Sequence, residues 1–246
     1  MNNKICVFDF ETDGSDPNIC SPVQLSAVMI DSNRLEIIKD SEFNVYLKPD
    51  KIESCKGSID ISLYGDSDIL EWHGKIKGIS KEQVFENWQN YPEQKHGWQQ
   101  FLNYLENYHV VSSNKKQKNQ FTAPKASGYN IIRFDMKIIN RLSEKYGNLN
   151  KENNTNIFHP RDQIDIMNIV WLWLSDIPEM KSLSLDNLRN YLGIDKTNAH
   201  DAIKDVQDCA DILIRFLRLH KKLSQKIKFK NALDRKSTRL NSSHRT

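Results

Sequence analysis

The sequence has no long apolar run. The longest wholly apolar segment is residues 169–174, far short of the roughly 20 residues that a membrane-spanning helix needs. Cysteine is sparse: Cys6, Cys20, Cys55 and Cys209 are scattered, and none forms a C-x-x-C pair. That argues against a zinc knuckle or a disulfide framework and favours reduced thiols in a cytoplasmic protein. Met1-Asn2-Asn3-Lys4 leads directly into a strand pattern, so no secretory leader is expected. No internal repeat is apparent. What is present is ordinary for a globular chain of 246 residues, with 27% charged and 38% hydrophobic residues.

The net charge is only +3, but it is unevenly distributed. From residue 212 to the end there are eleven lysines and arginines against one acid, Asp234, whereas residues 1–211 carry 24 basic and 31 acidic groups. Two readings follow: a basic tail that holds an anionic polymer near an acidic, cation-demanding body, or a solvated helix end with a disordered tail. The last stretch, KSTRLNSSHRT, has one large apolar residue and no periodicity. It resembles translated vector sequence and carries no fold signal of its own.

Strand patterns occupy residues 5–8, 21–31 and 43–49, close enough together for an antiparallel meander. Residues 51–79 are punctuated by Gly57, Gly65, Gly74 and Gly78 and read as an irregular surface excursion. Helical spacing predicts helices over 93–108, 134–146 and 183–192, the last stopped by Gly193, and a long final helix over 201–223. Residues 112–120 and 147–156 read as polar loops. Residues 125–130 can supply another strand, and residues 162–174 a short strand or turn entering a heavily buried helix. Strands come first and then alternate with helices, which predicts an α/β fold with a mixed sheet covered by helices on both sides.

Three acidic stations stand out. In FDFETDG, residues 8–14, Asp9 and Glu11 end a run that is apolar at every position and suits a strand buried on both faces. Strand alternation puts both carboxylates on one face, roughly 7 Å apart. Like charges there resist desolvation unless one is protonated or a cation lies between them. GYNIIRFD ends in Asp135 at the head of a helix, where an acid can also serve as a plain first-turn residue. NAHDAIKD carries His200 and Asp205. Five positions apart on one helix they would diverge by about 140°, so they converge only if His200 precedes the helix, with Asp201 as its N-cap. A histidine held there suits a proton acceptor more than a metal ligand. One sheet edge could gather Asp9, Glu11, Asp135 and Asp205. Such a cluster calls for divalent ions, and hard oxygen ligands suit Mg²⁺ or Mn²⁺. Two such ions would clamp a phosphodiester for attack by water.

The order D-x-E, then Asn with F-D, then H-x₄-D resembles the DEDDh 3′→5′ exonucleases, over about residues 4–223. KGIS at 77–80 and SLSLDNLRNYLGI before the last station add to it. SPVQLSA, GYNIIRFD, DQIDIM and NAHDAIKDV lean towards the catalytic domain of exodeoxyribonuclease I. The resemblance implies a ribonuclease H-like mixed sheet, with residues 1–225 as the exonuclease domain and 226–246 as a basic tail. It implies that Asp9 bridges two metal ions (Mg²⁺ or Mn²⁺), that Glu11 and Asp205 complete the tighter site, and that Asp135 holds the second ion. His200 would take the proton of the attacking water, Thr12 and Asn130 would seat the terminal nucleotide, and Phe134 would support the second motif from the core. The implied substrate is a single-stranded 3′ end, DNA favoured, releasing nucleoside 5′-monophosphates, with a replication or repair protein as a partner and no membrane. The alternatives are a polymerase proofreading subunit, an RNA-trimming enzyme, or a catalytically silent binding module. Exodeoxyribonuclease I continues into further domains that help grip its strand. Here the lysines at 115–118 and those of the tail are the candidates for that grip.

Overall fold

The computed structural model describes residues 3–55, 59–65, 68–111, 121–147, 157–195 and 201–226. In chain order its elements are β1 (Lys4–Thr12), β2 (Pro22–Asp31), β3 (Glu36–Ile37), β4 (Phe43–Tyr46), α1 (Asp50–Glu53), α2 (Ile69–Lys77), α3 (Lys81–Asn90) and α4 (Gln94–Glu106). There follow β5 (Val110–Val111), β6 (Phe121–Thr122), β7 (Lys125–Gly128), α5 (Asp135–Tyr146), β8 (Gln163–Asp165), α6 (Ile166–Leu174), α7 (Leu185–Leu192) and α8 (Ala202–Lys226).

The apolar run at the start of β1 sits in the middle of a mixed sheet. β1 pairs antiparallel with β2 and parallel with β7, and β7 pairs parallel with β8. β3 and β4 both lie antiparallel to β2, as the predicted meander requires. Strand alternation then divides the core. Cys6, Phe8 and Phe10 pack under α4 and α5, whereas Ile5 and Val7 pack under α6, α7 and α8. Helices therefore cover both faces, and β1 is buried on each.

Two expectations need correction. The described residues of 51–79 are not an irregular excursion. They include α1, the 3₁₀ turn Ile61–Tyr64 and α2, which join α3 around a core of their own: Val23, Ile52, Tyr64, Leu70, Val84, Phe85 and Trp88. The apolar residues of this core come from separate short elements, so no single period announces them. Gly78, at φ 65°, closes α2 in the left-handed conformation that glycine adopts freely. Ser80 and Gln83 then form a capping box that starts α3, a helix absent from the sequence-based expectation. Second, α6 is not heavily buried. Ile166, Val170 and Leu174 face the core, while Trp171, Leu172 and Trp173 are 58%, 71% and 39% exposed. Six apolar residues in a row go all the way round a helix, and only one stripe of them can face inward. Among the described residues no helix is long and apolar enough to cross a membrane, and the four cysteines are free thiols.

Candidate active site

Asp9 and Glu11 continue the parity of Ile5 and Val7, so they leave β1 on the α8 side of the sheet. The β1–β2 register slips between Glu11 and Thr12, a bulge of the kind that re-aims a strand end. Thr12 is buried; its hydroxyl donates to the Gly14 carbonyl at 2.7 Å and its carbonyl accepts from His73 Nε2 at 2.9 Å. Burial pushes the His73 imidazole down to about 4, so the ring is neutral.

The second station is built by a tight exit from β7. A Cβ on Gly128 would lie 2.7 Å from the Phe8 carbonyl oxygen and collide with Ile131, so glycine is what lets β7 sit this close to β1. Asn130 follows at φ 60°. The Asp165 carboxylate holds this turn by accepting from the amides of Asn130 (3.0 Å), Ile132 (3.3 Å) and Met167 (3.0 Å). Phe134 packs against the core under α4 and α5 and sets the head of α5. Asp135, only 2% exposed, accepts from the Phe10 amide at 3.1 Å, which ties it between Asp9 and Glu11.

Asp205 lies in the first turn of α8. Asp201 takes the N-cap position expected from the sequence: its Oδ1 accepts from the Ile203 amide at 3.2 Å and from Gln24 Nε2 at 3.3 Å. His200 lies outside the described residues, as do 115–118 and the tail beyond 226.

The four carboxylates share one electrostatic space. Burial raises Asp9 to about 7, helped by Asp205 and opposed by Arg189. Burial raises Glu11 to about 9, with Asp9, Asp205 and Asp135 adding to it and Lys77 offsetting it. Asp135 is held well above the usual carboxylate range by burial and then by Asp9. A set of this kind ionises fully only when cations are brought to it. As the side chains stand, no three His, Cys, Asp or Glu among the described residues are arranged to hold a metal ion. The donors nevertheless fit Mg²⁺ or Mn²⁺, being hard carboxylate oxygens that repel one another, and their side chains would have to close on the ion.

Two cations that no motif in the sequence assigns also face the site. Lys77, whose ammonium pKa is pushed down by burial against the pull of Glu11 and Asp201, brings the second helix to the site. Arg189 ion-pairs with Asp205 at 2.6 Å. The signal for Arg189 was there: residues 185, 188, 189 and 192 form an i, i+3, i+4, i+7 stripe, and one position of that apolar stripe is an arginine. Beside the head of α5 runs a groove of about 400 Å³, lined among others by Asn130, Ile132, Arg133, Trp171 and Leu183.

No protein-family model matches the sequence. Over 222 residues the chain is 24% identical to a PolC-type DNA polymerase III of Thermotoga petrophila, covering 90% of this chain but 12% of the polymerase. E. coli exonuclease I, solved with a dT13 oligonucleotide, matches with a TM-score of 0.60 at 17% identity, over 91% of this chain and 43% of that one. The fold is that of exonuclease I, a ribonuclease H-like fold. A zinc-bound complex of E. coli exonuclease I with single-stranded DNA matches with a TM-score of 0.57 at 18% identity, over 92% of this chain and 41% of that one. The chain therefore spans less than half of the exonuclease I chain and a small fraction of the polymerase.

Proposed function

We propose that this chain is a divalent-metal-dependent exonuclease that hydrolyses phosphodiester bonds from the 3′ end of single-stranded DNA and releases nucleoside 5′-monophosphates. The observation that carries this reading is the meeting of Asp9, Glu11, Asp135 and Asp205 at one end of β1: Asp9, Asp205 and Asp135 all push the Glu11 carboxyl up, Asp205 does the same to Asp9, and Asp9 to Asp135. The exonuclease I fold and the PolC likeness point the same way. Residues 1–225 act as the catalytic unit, and the basic tail from 226 onward supplements its hold on the strand.

Asp9, Glu11 and Asp205 would hold one divalent ion, and Asp135 with Asp9 would hold a second. Bound there, the ions would supply Lewis-acid charge to the phosphodiester and lower the pKa of a water. The Asp135 bond to the Phe10 amide limits how that carboxylate can turn. His200, just before Asp201 in the sequence, takes the proton of the attacking water. Its reference pKa of about 6.5 leaves it mostly neutral and able to accept at pH 7. Asn130 and the backbone at Thr12 flank the terminal nucleotide. The upstream strand follows the groove, where the exposed Trp171 offers a stacking face, Ile132 an apolar contact, and Arg133 meets a phosphate. The PolC likeness favours a second setting for the same chemistry, as a proofreading module working beside a polymerase.

The test is a gel assay on 5′-labelled single-stranded DNA and RNA of matched sequence, run with Mg²⁺, with Mn²⁺ and with chelator. The expected result is a metal-dependent ladder shortening from the 3′ end, faster on DNA and abolished in Asp205→Asn and Asp9→Asn. Intact substrate with the folded wild type in every lane, or a ladder that survives Asp205→Asn at limiting metal, sinks the reading.

A further inference from the structure

Arg189 is fully buried, yet it is a permanent cation. Taking a guanidinium out of water is costly unless every arm finds a partner. Here each arm does: Nη2 donates to Asp205 Oδ1 at 2.6 Å, Nε to Asp208 Oδ2 at 2.8 Å and Nη1 to Asp186 Oδ1 at 3.1 Å. Lys204 reaches Asp208 Oδ1 from the other side at 2.6 Å, so Asp208 anchors the fork and does not compete for it.

The helix that carries Arg189 is clamped at both ends. Ser184 caps the Asn187 amide at 3.3 Å, and Gly193 turns left-handed at φ 66°. The Ile194 amide then closes on the Arg189 carbonyl itself at 2.9 Å. Leu188, wholly buried beside it, packs α7 into the core that it shares with α8. The guanidinium is thus held on a rigid support and aimed at the first turn of α8.

We propose that Arg189 is the positioning residue of the metal centre: its fork fixes the rotamer of Asp205 and sets a permanent positive charge against that carboxylate, so that it is oriented for divalent ions before these arrive. This rests on the metal-centre reading above. Outer partners of metal ligands typically contribute about 10–100-fold in metal affinity. A lysine keeps the charge but presents one ammonium in place of a planar fork, and it cannot serve three carboxylates at these angles.

The experiment titrates Mn²⁺ against the full chain without nucleic acid, following free Mn²⁺ by electron paramagnetic resonance, with a thermal melt of each variant. Arg189→Lys is expected to bind Mn²⁺ about 10-fold more weakly than wild type. Leu188→Ala, which empties a buried position on the same helix without touching the ion network, is expected to melt lower yet bind Mn²⁺ as wild type does. Should Arg189→Lys fail to fold, the double variant Arg189→Gln/Asp208→Asn removes one cation and one anion together, and the same loss is expected of it. Wild-type Mn²⁺ affinity in the folded Arg189 variant overturns the proposal, as does an equal loss of affinity in Leu188→Ala. If wild type binds no Mn²⁺, or Asp205→Asn binds it as wild type does, the metal-centre reading itself fails, a result distinct from either of those.

Discussion

At the scale of single residues, the site is a collection of groups held away from their ordinary protonation states, and that has measurable consequences. Asp9 at about 7 and Glu11 at about 9 titrate well above their unfolded values near 4. Between those limits the ion-free native state holds more protons than the unfolded chain, so stability falls as pH rises. In chelator, the melting temperature is therefore expected to drop from pH 6.5 to pH 9, and Mg²⁺ or Mn²⁺ to oppose the drop increasingly at the alkaline end. Thermal melts at three pH values, with and without metal, check this, and a flat chelated profile would contradict it. His73 acts in the opposite sense. Its folded pKa of about 4 lies below its unfolded value of about 6.5. Its neutral form is thus favoured above pH 6.5, and up to about 3 kcal/mol is lost as pH falls through that window towards 4. His73→Asn is expected to lose less stability than wild type between pH 6.5 and 4.5, measured by urea titration at both.

At the scale of elements, β1, β2, β4, α4, α5, α7 and α8 were legible in the sequence because each carries its own period or turn signal. What escaped were features whose meaning lies in a neighbour. The apolar residues of α6 read as buried because hydrophobicity is local, whereas its burial depends on which stripe meets the core. Arg189 lies within the SLSLDNLRNYLGI motif, but no local pattern there reveals its role, because its partner Asp205 lies on the next helix. The pairing of β7 with β1 is the element contact on which Asp135 depends. In Gly128→Ala the added methyl would press on the Phe8 carbonyl and on Ile131. A cost of roughly 1–3 kcal/mol is expected in urea unfolding, with a fall in nuclease rate larger than the loss of folded protein explains. A Gly128→Ala protein as stable and active as wild type would show that the close approach is dispensable.

At the scale of the whole molecule, two cores meet across β1 and a third, formed around α2 and α3, leans on the end of β2 through Val23. This third core also delivers His73 to the Thr12 carbonyl and Lys77 towards Glu11, so it is a wall of the site as well as an appendage. Trp88, 1% exposed, sits at its centre against Tyr64 and His73. Trp88→Ala is expected to cost about 3–5 kcal/mol. Hydrogen exchange is expected to show protection lost first in α2 and α3, and equal loss in α5 and α8 would mean that the third core is not a separate layer. The sequence by itself determined the strand that ends in two carboxylates, the helix heads that offer Asp135 and Asp205, and the mixed sheet that could join them. These follow from periodicity, capping and turn chemistry, all of which act within a few residues. Only the tertiary structure decided that α2 closes one side of the site, that α6 presents tryptophans to solvent, and that a buried arginine holds Asp205. Each of those depends on packing and charge between segments far apart in the chain, where no local pattern carries the information.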